Sequence, residues 1–257
     1  MAQAGARPTV ALFVTCLAES YYPRSLIAIV KVLEHLGYRV EFPEAQTCCG
    51  QPMHNNGLAA DAARLARRML EIFAPYEYVV TPSSSCAAMV CEHYREALEA
   101  DAADVAAAAN LARRTYEFGD FLTRVHRASL SELGVKWPGA VTYHYSCHAR
   151  GHATTKTVPA LLAEIPELEY TALENLEQCC GFGGAFMVKY PGISNELVHD
   201  KVAAIRATGA CTVVSNDAGC TMNIAGACHR AGLAVEFKSL AEIIAEGLGL
   251  LDREERA

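Results

Sequence analysis

Eleven cysteines, at positions 16, 48, 49, 86, 91, 147, 179, 180, 211, 220 and 228, are the chemically most telling residues of this sequence. Their number is odd, and two pairs, Cys48-Cys49 and Cys179-Cys180, are direct neighbours, which strains a disulfide and argues against a disulfide framework. Thiolates also bind zinc and iron–sulfur clusters, and both use sets of four. The spacing supplies two such sets. In each, 31 residues separate a first cysteine from a Cys-Cys-Gly triplet: Cys16 from Cys48-Cys49-Gly50, and Cys147 from Cys179-Cys180-Gly181. A fourth cysteine follows, Cys86 after 36 residues from Cys49 and Cys220 after 39 from Cys180. Structural zinc favours Cys-x2–4-Cys hooks, which neither set contains. Long spacing around a double cysteine points to a larger metal body reached from several loops.

The match between the sets extends beyond the sulfurs. The first three cysteines of each are offset by 131 residues, and the stretch 79–90 parallels 213–224 at an offset of 134, consistent with a three-residue loop insertion. The chain is therefore read as an approximate duplication of a unit of roughly 110 residues. Cys91, Cys211 and Cys228 fall outside the repeat and are expected to be buried apolar thiols. Gly50 and Gly181, with Gly183 and Gly184, stand where backbone can approach a cluster and direct amide N–H groups at its sulfurs. Cys86 and Cys220 are expected near helix N-termini, where the helix dipole favours the thiolate. Ser83, Ser84, Ser85, Asn216 and Asp217 suit capping there rather than ligation. Among the histidines, His148 beside Cys147 is the candidate for contact with cofactor or substrate; His54, His93, His144 and His152 are read as solvated or packing residues. Arg150 is either a fork donor to a substrate carboxylate or an exposed charge.

The elements that position these residues alternate. Strands are expected over 9–14, 38–42 and 78–81 in the first half and over 140–145, 168–171, 211–215 and 234–237 in the second. Helices are expected between them, with Pro23 in a first turn and Gly37 as a stop. This order implies βαβ units: an α/β fold of two pseudo-repeated parallel-sheet halves with the cysteine loops at the strand ends. Residues 1–100 form the first repeat, 101–135 an alanine-rich helical connector, and 136–257 the second repeat. In open parallel sheets, loops at the carboxyl ends of strands share one crevice, so thiols about 70 residues apart can meet.

Composition narrows the partners. The 257 residues are 52% apolar and 20% charged, enough for a sizeable core. With 22 basic against 29 acidic residues the net charge is −7, which disfavours nucleic acid. The longest apolar runs, 10–14 and 102–109, are far below the roughly 20 residues that span a bilayer, and the amino terminus lacks a secretory apolar region. A cytoplasmic protein is expected. No Gly-x-Gly-x-x-Gly follows the first strand, so a nicotinamide site is unsupported.

The doubled cysteine pattern resembles the duplicated cysteine-rich CCG domain found in heterodisulfide reductase and in the glycolate oxidase iron–sulfur subunit. As a stand-alone chain with Cys48-Cys49-Gly50-Gln51-Pro52 and Cys179-Cys180-Gly181-Phe182-Gly183-Gly184, it is most similar to the lactate-utilisation protein A family. That resemblance implies an iron–sulfur subunit passing electrons as L-lactate, a small 2-hydroxy acid, is oxidised to pyruvate, in a complex with two other subunits. It implies Cys16, Cys48, Cys49, Cys86, Cys147, Cys179, Cys180 and Cys220 as ligands of one or two clusters of [4Fe–4S] type, with zinc an alternative in one half. Where the fullest family motif ends in Cys-x-x-Cys, this chain has Met89 and Asn223, leaving four sulfur donors per half. A cluster-based thiol–disulfide reductase and a non-catalytic zinc module are the alternative functions.

Overall fold

Short β-branched runs bounded by turns and helices build two parallel sheets. The computed structural model describes residues 7–127, 129–149 and 154–252. The first sheet contains β1 (Thr9–Leu12), β2 (Arg39–Glu41), β3 (Tyr78–Thr81) and β4 (Thr115–Glu117) in the order β2-β1-β3-β4. The second contains β5 (Gly139–His144), β6 (Leu168–Tyr170), β7 (Thr212–Ser215) and β8 (Glu236–Lys238) in the matching order β6-β5-β7-β8. Every pairing is parallel. The α/β class and the two-half architecture expected from the alternation are those of the structure.

Period-two alternation along the central strands divides their side chains between two environments. Val10 and Leu12 of β1, followed by Val14, share one core with Val141 and Tyr143 of β5, followed by Tyr145. Ala11 and Phe13 face the opposite way, into a core private to the first half. The largest core thus lies between the halves and joins them. Helices Pro23–His35 and Leu240–Gly247 pack there, with Ser25 Oγ donating to Glu242 Oε2 at 2.7 Å and Arg24 paired with Glu246 at 2.8 Å.

Residues 101–135 are not wholly helical. Asp101 caps the Ala102–Ala112 helix, accepting from the amides of Ala103 and Asp104, but Thr115–Glu117 then pairs in register with β3. The alanine tract masked a β-branched and aromatic triplet, and pairing covers the edge that β3 would otherwise expose.

Candidate metal centre

The cysteines sit where each half's topology opens. From β1 the chain crosses outward to β2, then returns past β1 to β3, so the loops after β1 and β3 diverge and leave a crevice at the strand ends. Cys16 opens the Cys16–Tyr21 helix immediately after β1. Its predecessor Thr15 is held at φ +67°, a conformation costly for a β-branched residue and maintained here by buried surroundings. The double cysteine fills the loop after β2, turned by Gly50 at φ +90°. Cys86 lies in the first turn of the Ser84–Ala88 helix, its amide donating to the Ser83 hydroxyl at 3.3 Å. The second half repeats the device: Gly181 turns at φ +82°, and the Cys220 amide donates to Asp217 Oδ1 at 3.2 Å.

Each set of four sulfurs converges. Cys16 Sγ lies 3.8 Å from Cys48 Sγ, and Cys49 Sγ lies 3.4 Å from Cys86 Sγ. Cys48 and Cys49 also interact through their thiols, so the four form a continuous chain. In the second half Cys180 Sγ is 3.1 Å from Cys220 Sγ, and Cys179 interacts with both Cys147 and Cys180. Thiolates on one tetrahedral metal stand about 3.8 Å apart, given metal–sulfur bonds of about 2.3 Å. The two sets are themselves adjacent. All eight cysteines line a single cavity of roughly 820 Å³ including its open mouth. Across it, Asp217 Oδ2 accepts from the Ser85 amide at 3.1 Å, and Ser84 N donates to Asn216 O at 3.0 Å. The capping residues of one set therefore also grip the other half.

Charge explains why such sets suit a metal. Hydrogen bonds from Cys16 and then Cys49, with the Gly50 amide, outweigh burial and pull the Cys48 thiol down to about 3. Bonds from Cys147 and Cys180 likewise pull Cys179 down to about 2. Their partners move the other way: the bond to Cys48 and burial push Cys16 up, and the bond to Cys179 and burial push Cys147 up. One thiolate per set is thus held by its protonated neighbours. Further thiolates at such separations would repel one another, and a metal cation that displaces the protons removes that conflict. The amide of Gly181 donates to Cys179 Sγ at 3.3 Å, and that of Phe182 to Cys180 Sγ at 3.5 Å. The helix dipole does not dominate at Cys220. The bond from Cys180 lowers this thiol, but burial and the charges of Asp217 and Cys179 raise it further, and the net shift is upward.

Other expected residues are placed as follows. His148 lines the cavity with Nδ1 3.7 Å from Cys147 Sγ. Arg150 and His152 lie outside the described residues. Of the three cysteines outside the repeat, only Cys228 is fully buried. Cys91 and Cys211 are half-buried, because Cys91 borders an open cleft with Tyr116 and Arg124 and Cys211 sits just ahead of β7. The Cys91 thiol points to the carbonyls of Ala112 and Thr115, and none of the three lines the cavity. Asn223, where the fullest motif would place a cysteine, donates to Cys180 O at 2.8 Å and braces the loop. Tyr94 OH does the same for Cys49 O at 3.0 Å.

His144 departs most from expectation. It is 1% exposed, and a ring nitrogen, Cys180 Sγ and Cys220 Sγ all lie within 4.8 Å of one another. Neither ring nitrogen has a hydrogen-bond partner among the described residues, an arrangement that costs about 1–3 kcal/mol per buried group. Sequence proximity to Cys147 gave no cue, because the strand turns this side chain toward the other cysteines. The cue was its alternation with Thr142 on the face of β5 opposite Tyr143, which brings a histidine to a strand end.

Residues 10–91 and 141–225 each match the CCG cysteine-rich domain. The chain is 44% identical over 236 residues to lactate utilization protein A of Shouchella clausii (strain KSM-K16), covering 91% of this chain and 98% of that one. It is 43% identical to the protein of the same name from Geobacillus thermodenitrificans (strain NG80-2), with the same coverage. Lactate utilization protein A 2 of Bacillus cereus (strain 03BB102) is 38% identical over 240 residues, 93% of this chain and 98% of that one. Among solved structures, a hypothetical protein from Helicobacter pylori superposes with a TM-score of 0.66 at 11% identity, a likeness of fold; 96% of this chain covers 49% of that one. With both domain copies matched and relatives aligned along nearly its whole length, the chain belongs to the lactate utilization protein A family.

Proposed function

We propose that the chain is the iron–sulfur subunit of a complex that oxidises L-lactate to pyruvate, with electrons crossing groups held by its two cysteine sets. The observation that carries this reading is the convergence of all eight repeat-matched cysteines on one cavity in a chain of this family. Cys16, Cys48, Cys49 and Cys86 hold one group, and Cys147, Cys179, Cys180 and Cys220 the other. An iron–sulfur cluster supplies one-electron redox chemistry without proton transfer at the sulfurs. The protein's own part is to orient thiolates from three strand ends, exclude water with Phe182 and the Pro52 loop at the cavity wall, and direct amides at Cys48 and Cys179. Lactate oxidation releases two electrons and two protons, and two groups lining one cavity suit the storage of such a pair. The contacts to lactate and the further acceptor belong to partner subunits, two in number. No described helix is long and apolar enough to cross a membrane. Eleven free thiols fit a reducing, cytoplasmic setting.

Anaerobic iron and acid-labile sulfide analysis tests the reading. Cys49→Ser is expected to remove the metal of the first half alone and Cys180→Ser that of the second, leaving the other half loaded. Addition of lactate with the partner proteins is expected to bleach the visible absorbance. A colourless protein holding only zinc refutes iron–sulfur chemistry. Zinc in one half is the second reading, favoured by sulfur separations of 3.4 and 3.8 Å in the first set, near the tetrahedral value.

A further inference from the structure

The two halves differ beneath their cysteines, where the repeat would make them alike. Phe13 and His144 each stand three residues before the first cysteine of their set. Gly50 packs against Ala62 and Leu65, and Gly181 against Ser194 and Leu197, which makes Met69 and Lys201 equivalent. The first half thus backs its sulfurs with Phe13 and Met69 in an apolar core. The second backs its own with His144, 1% exposed, and Lys201, fully buried. Among the described residues the His144 ring has no hydrogen-bond partner, and a ring nitrogen reaches to within 4.8 Å of both Cys180 and Cys220 sulfurs. Nitrogen and sulfur donors on a tetrahedral metal stand about 3.6 Å apart, for bonds of about 2.0–2.1 and 2.3 Å, so a small closure brings His144 into a shared coordination shell. Lys201, whose Nζ donates to Asn175 O at 3.4 Å, stands where the first half has the apolar Met69.

We propose that His144 is a nitrogen ligand of the metal group held by the second half, a donor that the first half, with Phe13 in its place, lacks. This rests on the reading that the second cysteine set holds iron. A neutral imidazole adds a nitrogen donor to the four thiolates without adding negative charge, and coordination gives its unpartnered ring nitrogen a partner.

The full chain carrying Cys49→Ser and Cys86→Ser isolates the second half. Labelled with ¹⁵N-histidine and loaded anaerobically with ferrous iron and sulfide, it is expected to show a strongly coupled ¹⁵N in pulsed electron paramagnetic resonance of the reduced state. His144→Phe, which installs the residue of the first half, is expected to lose that coupling while keeping the wild-type circular dichroism. Lys201→Met, which installs the other residue of the first half, is expected to keep the coupling. Iron loading with no ¹⁵N coupling overturns the assignment of His144 and leaves the iron–sulfur reading standing. No iron loading at all overturns both.

Discussion

Two glycines that look equivalent in sequence are expected to respond differently to the same methyl group. Gly50 and Gly181 both adopt left-handed backbone, at φ +90° and +82°. Alanine in that region costs about 1–2 kcal/mol, partly offset by about 0.4–1 kcal/mol from the reduced freedom of the unfolded chain. The surroundings then separate them. A Cβ on Gly50 meets Ala62 O and Leu65 Cβ at 3.5 Å, ordinary contact, whereas one on Gly181 meets the backbone oxygen of Ser194 at 2.5 Å and Leu197 Cβ at 3.2 Å. Backbone cannot swing aside, and Ser194 is further tied by its hydroxyl, which donates to Gly181 O at 2.8 Å. Overpacking of this kind adds about 1–3 kcal/mol. Gly50→Ala should therefore destabilise by about 1 kcal/mol and Gly181→Ala by about 2–4 kcal/mol, a gap of roughly 3–10 °C in Tm for a chain of this size. Urea and thermal unfolding of the two variants, prepared identically under anaerobic, reducing conditions, measure the gap. Equal losses would refute the steric reasoning.

Asp217→Ala should cost about 2–4 kcal/mol in urea unfolding, because it removes the cap of the Ala218–Arg230 helix and orphans the Ser85 amide of the other half. Ser83→Ala, which removes the corresponding cap in the first half, should cost only about 1 kcal/mol. Burial, with the charge of Asp120, raises Glu117 to about 8. The folded state therefore keeps a proton that the unfolded state loses above about pH 4.5. Its contribution to stability is full below that value and falls as pH rises towards 8, by at most about 1.4 kcal/mol per unit. The urea midpoint of wild type minus that of Glu117→Gln should trace this decline between pH 5 and 8, and a flat difference would contradict it. Asn223→Ala, which frees Cys180 O, should cost about 1–2 kcal/mol and weaken metal retention in the second half alone, as read by competition with a chelator.

Chain order alone was enough to place most of the scaffold. The 131-residue offset identified two alike units, the β-branched runs marked seven of the eight strands, and the Cys-Cys-Gly triplets marked the loops that carry sulfur. Such features are local: periodicity, turn chemistry and spacing act over a few residues and survive without knowledge of the fold. Three residues of the expected connector escaped, because Thr115–Glu117 becomes a strand only through the exposed edge of β3. The pairing of the two cysteine sets about one cavity, the grip of Asp217 on Ser85 and the turn of His144 towards Cys180 and Cys220 depend on how the halves and strands dock. Those contacts join residues distant along the chain, and their energies come from burial and charge that exist only once the shared core has closed.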